Sequence, residues 1–410
     1  MTEENRFHRA WLILVAMVLV YAGFMGITLN CIGVLFQAIR TDLGFRAGDL
    51  SLFYTIRSLT SSIVMPFTVS LFFKRSSRAV LGILGTVTCA GIAAMCWFDR
   101  LWQWYVAAVF MGVGSSCAMV VVPIVLNNWF HKRNGLAIGL AMAGSGVAGA
   151  IFSPVLSRMI TTFGWRQAAL LMALVSFLLI VPPTLALLVS SPEQKGLRPY
   201  GAGGETAAGP SLRRQAVPPR GYIFILGLLA AVTANCLVQF TNQMATFAQT
   251  VGYTLEIGAI LTSCCMVGNL LGKLLYGMLS DRVGIYHSAR VYLMVVCASL
   301  AGFLFLSGNV FALYVSSALF GTCYSLSSMS ASLLFLDLYG PEDYKAKLSR
   351  MQAVNGVIAA FLSAVIPYMY DITGSFNIVF VCGIATVALA FAVYSYLHVY
   401  SVRRSRTEEI

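Results

Sequence analysis

The chain has 410 residues, of which 59% are hydrophobic and only 10% charged, against roughly half apolar and a quarter charged in soluble domains. No water-soluble fold of this length hides so much apolar surface, so the composition excludes an ordinary soluble enzyme or binding domain and makes lipid the solvent. The net charge of +12 points to an anionic surface, and the positions of the basic residues assign that surface to membrane lipid rather than to nucleic acid.

Apolar runs long enough for the roughly 20 residues of a membrane helix follow one another between short clusters of charge, Pro and Gly. In chain order they predict helices over 11–38, 49–72, 79–98, 102–127, 135–160 and 166–190, then 220–247, 255–280, 289–307, 309–336, 349–371 and 376–397. The first run starts at Trp11, after Arg6, His8 and Arg9. It is too long for the roughly 7–15-residue core of a signal peptide and reads as a retained helix. Ser191 to Pro219 is rich in Gly, Ala, Pro and Arg and reads as a flexible connector. The expected organisation is an all-α membrane protein of twelve transmembrane helices: a six-helix bundle over 1–190, a linker over 191–219 and a second six-helix bundle over 220–410. The ten cysteines lie mostly inside apolar runs, without the spacing of a disulfide framework or a zinc site, and read as small packing residues.

Of the 27 basic residues, Arg57 and Lys273 lie inside helices, and five (Arg40, Arg46, Arg100, Arg158 and Arg166) lie in segments on one side. The others fall on the opposite side, in clusters such as Lys74, Arg75 and Arg78, or Lys345, Lys347 and Arg350. The positive-inside rule then places both termini and the central linker in the cytoplasm. The compact loops suit a prokaryotic inner membrane.

Arg57 and Lys273 are the unusual residues. A charge near mid-membrane costs at least about 2.5–3.5 kcal/mol, so it normally faces a bundle interior or a cavity and finds a counter-charge. Lys273 lies about 11 Å from the inner end of its predicted helix and Arg57 about 12 Å from the outer end of its own at 1.5 Å per residue, too far for either to snorkel comfortably. No Asp or Glu lies well within any predicted span. An anionic ligand is the simplest partner; interhelical hydrogen bonding is the structural alternative. Asn269 and Lys273 share a helix face with Tyr276 one turn on, and Gly268 and Gly272 form a small-xxx-small pair beside them. Asn30, Gln37, Gln239, Asn242, Gln243, Tyr324 and Asn355 are further polar side chains within helices. No metal-binding cluster, nucleophile elbow or phosphate-cradling Gly loop occurs, so no cofactor and no enzymatic chemistry is expected.

The connection after the eighth helix reads Gly277-Met-Leu-Ser280-Asp281-Arg282-Val-Gly284. It resembles the loop signature of the major facilitator superfamily, as do twelve helices with a central linker. The resemblance implies two pseudo-symmetric halves that rock about a central site, with Gly277, Asp281, Arg282 and Gly284 as a gating loop. The first half lacks the signature: Phe72-Phe-Lys74-Arg75-Ser-Ser-Arg78 has neither its Gly nor its Asp. Within the superfamily, Asn128-Trp129-Phe130-His131-Lys132-Arg133-Asn134-Gly135-Leu136-Ala137 and the following Gly139, Ala143, Gly144 and Gly146 resemble the fourth-to-fifth-helix signature of monocarboxylate transporters and oxalate:formate antiporters. That resemblance implies a carboxylate grip at Lys273. It also aligns Asn269, Asn30 and Asn355 with positions where the group carries an Asp and two lysines, and leaves Arg57 as an addition.

The expected function is secondary transport of small organic anions, mono- or dicarboxylates, by alternating access, with protons or a counter-anion as the coupled species. Its substrate-binding residues would be Arg57, Lys273, Asn30, Asn269, Tyr324 and Asn355. The alternatives are a carrier of a neutral or amphipathic solute, in which the two cations serve packing or gating, and a non-transporting membrane sensor or membrane-embedded enzyme.

Overall fold

In hydrocarbon every backbone N–H and C=O must be satisfied within its own segment, which leaves helices as the answer for such runs. The computed structural model describes residues 9–45, 47–201, 221–253 and 255–408, and their regular structure is helical apart from an isolated parallel bridge between Phe130 and Tyr200. The chain divides into two compact units, Met1–Ala207 and Ala208–Ile410.

In the first unit, α1 runs Arg9–Tyr21, passes through a π-helical stretch Ala22–Cys31 and resumes over Ile32–Leu43. Then come α2 (Ala47–Lys74), α3 (Ser77–Ala94), α4 (Leu101–Ser115, resuming as Ala118–Trp129), α5 (Asn134–Phe163) and α6 (Trp165–Leu187). In the second unit α7 is Gly221–Gln239, extended by a tight turn Phe240–Gln243 and Met244–Thr250. It is followed by α8 (Leu255–Val283) and α9 (Ile285–Phe305). Helix α10 is assembled from Val310–Phe320, Cys323–Ser325, a π-helical stretch Leu326–Ser330 and residues 331–339. Gly340, at φ 69° and ψ 172°, breaks the helix there, and α11 continues over 341–373 before α12 (Asn377–Glu408). Eleven helices among the described residues are long and apolar enough to cross a membrane. Helix α11 opens with Lys345, Lys347 and Arg350 and continues with an uncharged, largely apolar run over 353–370, of which the side chains of 363–368 and 370 lie outside the described residues.

Local chemistry sets the helix ends. Asn309 caps α10 by accepting from the N–H groups of Phe311 and Ala312, and Gln103 reaches back to the N–H of Arg100 at 2.8 Å. Gly284 turns α8 into α9 at φ +84°, a region that residues with a Cβ avoid. In the first half the α2–α3 turn holds no positive-φ residue among those described; Ser76 caps α3 there instead.

Each unit is sealed by an aromatic cluster at the end away from the basic clusters. Phe36 meets Phe53 and Trp104 at 4.8 and 6.0 Å, and Trp104 meets Trp165 at 5.9 Å. In the second unit Phe240 meets Phe380 at 5.1 Å and Phe320 at 5.5 Å, while Phe303 stacks on Phe380 at 5.7 Å. Above the first cluster, Arg166 pairs with Asp99 at 2.6 Å and Asp42 at 3.6 Å.

The helices meet through glycine. In the first unit Gly26 of α1 lies on Ser145 and Ala148 of α5, and Gly144 of α5 lies on Val18, so Gly144 and Ser145 of the 139–146 segment meet α1. The second unit is tighter. A Cβ on Gly268 would overlap the carbonyl oxygen of Ala318, and one on Gly321 would overlap that of Cys265; α8 and α10 therefore touch backbone to backbone.

The chain after α6 stays with the first unit as far as Tyr200. Tyr200 donates its N–H to the Trp129 carbonyl (2.8 Å) and accepts from the N–H of His131 (3.0 Å), while the Trp129 indole donates to the Val189 carbonyl (2.7 Å). Trp11, Phe130 and Tyr200 pack edge to face around this strap at 5.5–5.7 Å. The start of the expected connector is thus built into the fold, because the α4–α5 loop supplies donors and rings that hold it. Residues 202–219 of the connector, with Arg213 and Arg214, lie outside the described residues, as do Arg6, His8, Arg46 and Arg220.

Gly268→Ala is expected to lower stability by about 1–3 kcal/mol, the usual cost of overpacking, because backbone atoms cannot give way. Gly308→Ala, which meets open space, is the control and should unfold at the wild-type temperature. Equal midpoints for the two variants in detergent would show that the α8–α10 contact is not tight.

Candidate functional site

The two buried cations are held in different ways. Arg57 lies on α2 and is 4% exposed. Its guanidinium reaches the π-helical stretch of α1, donating from Nη1 to the Thr28 carbonyl at 2.8 Å and from Nη2 to the Thr28 hydroxyl at 3.3 Å and the Ser115 hydroxyl at 3.5 Å. Both hydroxyls give their own protons to carbonyls one turn back, Thr28 to Phe24 at 2.6 Å and Ser115 to Met111 at 2.7 Å. Their lone pairs are thereby turned toward the cation. Gly112 of α4 lets this happen: a Cβ there would sit 2.7 Å from the Arg57 carbonyl oxygen.

Lys273, on α8, is also 4% exposed. Among the described residues it makes no ion pair or hydrogen bond, and its Nζ stands 6.0 Å from the centre of the Tyr324 ring, at the outer limit of a cation–π contact. Tyr324 is placed by the α8–α10 glycine contact and held by a 2.9 Å hydrogen bond to Thr241 of α7. Next to it, Ser325 faces Gly272: a Cβ on that glycine would lie 3.2 Å from its hydroxyl. Tyr292 of α9 donates to the Gly272 carbonyl at 2.7 Å, which fixes the turn carrying Lys273. The hydroxyl of Ser325 and the amide oxygen of Asn269, one turn before Lys273, are buried without a hydrogen-bond partner. A primary ammonium beside unpaired polar oxygens, on rigid and closely packed helices, can bind a group that accepts a strong hydrogen bond from nitrogen while donating to oxygen.

The structure thus brings Lys273, Asn269 and Tyr324 together. Arg57 forms its own cluster in the first unit. Asn30 is exposed and lies beside Gly149 of α5, where an added Cβ would be 3.7 Å from its Nδ2. Asn355 is buried on α11, donating to Gln352 at 3.4 Å and leaving its own Oδ1 unpaired. The side chains of Gln37 and Asn242 lie outside the described residues. Of the residues expected to form a gating loop, Gly277, Asp281 and Arg282 belong to the last two turns of α8 and Gly284 alone makes the turn to α9; Gly277 is buried while Asp281, Arg282 and Gly284 are exposed. Sequence reasoning passed over Thr28, Ser115, Thr241, Ser325 and Gln352. Hydroxyl residues are ordinary in membrane helices, where they bond back to the preceding turn, so composition does not mark these out.

Comparison with known proteins agrees with this architecture. The family model of the Major Facilitator Superfamily matches residues 13–268 and 243–409. The chain is 23% identical to Monocarboxylate transporter 13 of Rattus norvegicus over 380 residues, covering 90% of this chain and 85% of that one. It is 24% identical to an uncharacterized transporter of Saccharomyces cerevisiae over 300 residues, 72% of this chain but only 44% of that protein's length. Monocarboxylate transporter 11 of Mus musculus is 30% identical over 165 residues, 40% of this chain and 32% of that one. Among solved structures, the crystal structure of a Major Facilitator Superfamily transporter, FucP, in the outward conformation aligns with a TM-score of 0.66 at 15% identity. That alignment covers 95% of this chain and 99% of that one.

The two cations should respond differently to neutralisation. Arg57→Gln strips the Thr28 carbonyl and two hydroxyls of their charged donor and should destabilise the unliganded protein by about 1–3 kcal/mol. Lys273→Gln removes a buried charge that has no acidic partner, so the unliganded variant should be as stable as wild type or more so. Equal losses in thermal unfolding would give Lys273 the same structural role as Arg57.

Proposed function

Because the chain belongs to the major facilitator superfamily, a family of transporters rather than enzymes, we propose that it is a secondary carrier of small organic anions whose carboxylate is gripped by Lys273. One observation carries the reading: a fully buried ammonium on α8 with no ion pair or hydrogen bond among the described residues. Such a charge is too costly to keep for packing alone, and a carboxylate supplies the missing countercharge. Ser325 can donate its hydroxyl to the carboxylate, the Asn269 amide oxygen suits a hydroxyl or other donor elsewhere on the same anion, and Tyr324 offers an aromatic wall. The relatives named monocarboxylate transporters support the same chemistry. Arg57, engaged by α1 and α4 through three hydrogen bonds from Nη1 and Nη2, braces the first helix bundle.

The proposed cycle is alternating access, with 1–190 and 220–410 as the moving halves and the basic clusters, hence both termini, in the cytoplasm. With Asn at 269 the α8 face around Lys273 carries no carboxylate to take up a proton. Exchange of one anion for another therefore fits the site more simply than symport with a proton. A ligand that binds only the folded state raises apparent stability by mass action, by about 2.7 kcal/mol at a hundredfold excess over Kd. Thermal unfolding of purified protein across a panel of mono- and dicarboxylates should show stabilisation of wild type that is lost in Lys273→Gln. No response to any carboxylate would overturn the anion reading and favour a neutral or amphipathic solute, for which Arg57's engagement with its own unit already leaves room. Counterflow in proteoliposomes with and without a pH gradient separates exchange from symport.

A further inference from the structure

A second site lies away from Lys273, where α9 and α12 pack against each other. Leu293, Met294 and Cys297 of α9 face Ile384, Val387, Ala388 and Phe391 of α12 across an apolar groove of about 300 Å³. Met294 and Ala388 are exposed, so the groove is open along its length. Arg290 falls on the same stripe of α9, at the spacing 290, 293, 294, 297, and His398 continues the stripe of α12 through 384, 391 and 398. The two stripes close on each other where the groove ends. Arg290 Nη2 is 3.3 Å from His398 Nδ1, and the His287 ring lies 4.9 Å from the His398 ring.

One acid lies near this cluster, and it is hydrogen-bonded to hydroxyls rather than paired with Arg290. Asp337 is buried nearby, and its Oδ2 accepts from the Tyr286 hydroxyl at 2.6 Å and the Ser401 hydroxyl at 3.2 Å. Arg290 also donates from Nε to the Tyr286 carbonyl at 3.3 Å, but forms no ion pair among the described residues. A guanidinium and two imidazoles thus cap a greasy channel about two helical turns, or about 10 Å, long.

We propose that this groove holds one anionic phospholipid of the cytoplasmic leaflet, with its phosphate on Arg290 and His398 beside His287 and an acyl chain along Leu293, Cys297, Val387 and Phe391. The occupant follows from complementarity at both ends. An apolar trough in a membrane-spanning pair of helices takes a hydrocarbon chain. A cationic cap at its cytoplasmic end, in the orientation proposed above, takes an acidic headgroup, which that leaflet supplies. The proposal is independent of what the carrier transports.

Native mass spectrometry of the delipidated, full-length protein with phosphatidylglycerol or phosphatidylethanolamine of matched chains tests it. Wild type should retain the anionic lipid over the zwitterionic one by about fivefold, the preference that one basic side chain confers at an anionic surface. The double variant Arg290→Gln, His398→Gln should keep a lipid but lose the preference, and Ala388→Trp, which fills the trough, should lose both lipids. Equal retention by wild type overturns the proposal, as does a preference that survives in the double variant. Oleate bound as well as the phospholipid, or a dimer that excludes lipid, would assign the groove to a single-chain anion or to a second copy and would equally overturn it. Should a variant unfold, maleimide labelling of Cys297 in wild type remains decisive: phosphatidylglycerol should slow it several-fold more than phosphatidylethanolamine does.

Discussion

In hydrocarbon, a polar group without a partner costs several kcal/mol, and a cation costs more unless countercharge or dense hydrogen bonding compensates it. That constraint organises this molecule. It makes every long segment a helix, pushes the charged residues to the helix ends, and leaves Arg57 and Lys273 as positions that need an explanation. The first unit compensates its cation internally: two hydroxyls and a carbonyl are aimed at one guanidinium. The second unit does not: among the described residues its lysine makes no ion pair or hydrogen bond and stands 6.0 Å from the Tyr324 ring. The asymmetry between the halves is chemical, although each is built from six helices of the same kind.

Both cations stand against helices that depart from α geometry. The Ala22–Cys31 stretch of α1 presents Thr28 to Arg57, and Leu326–Ser330 of α10 begins two residues after Tyr324. Widened turns of this kind are rare and concentrate at functional sites, since they re-aim side chains and carbonyls that a regular helix would keep to itself. Glycine contacts then hold the rearranged turns in place. Gly112 brings α4 onto α2 beside Arg57, and Gly268 and Gly321 bring α8 and α10 into backbone contact beside Lys273. Rigid first neighbours of this kind are what a binding cation requires if its position is to be held without a permanent partner.

Much of this architecture is legible in residue order. The apolar runs reveal the helices, and Gly284 reveals the turn between α8 and α9 because few other residues take a positive φ. The small residues at 139–146 announce a close contact, although the order of residues does not name α1 as the partner. Lys273 and Arg57 stand out for the same reason, a charge in an apolar run. What separates them is not legible. Thr28 and Ser115 are 29 and 58 residues from Arg57, and nothing in a Thr or Ser marks it as aimed at a distant guanidinium. The strap at 192–201 was hidden for a similar reason: Gly, Pro and charged residues read as linker, and only the packed rings of Trp11, Phe130 and Tyr200 show that it is held.

Composition and periodicity thus determined the solvent, the helices and the two residues whose charge has to be accounted for, because transfer free energy depends on residue type and its effect accumulates along a run. Which cation is satisfied and which is left without a counter-ion was decided by tertiary structure alone. Hydrogen bonding is short-ranged and directional, so it depends on which helix lies opposite, and that is set by the fit of glycine faces across many intervening residues.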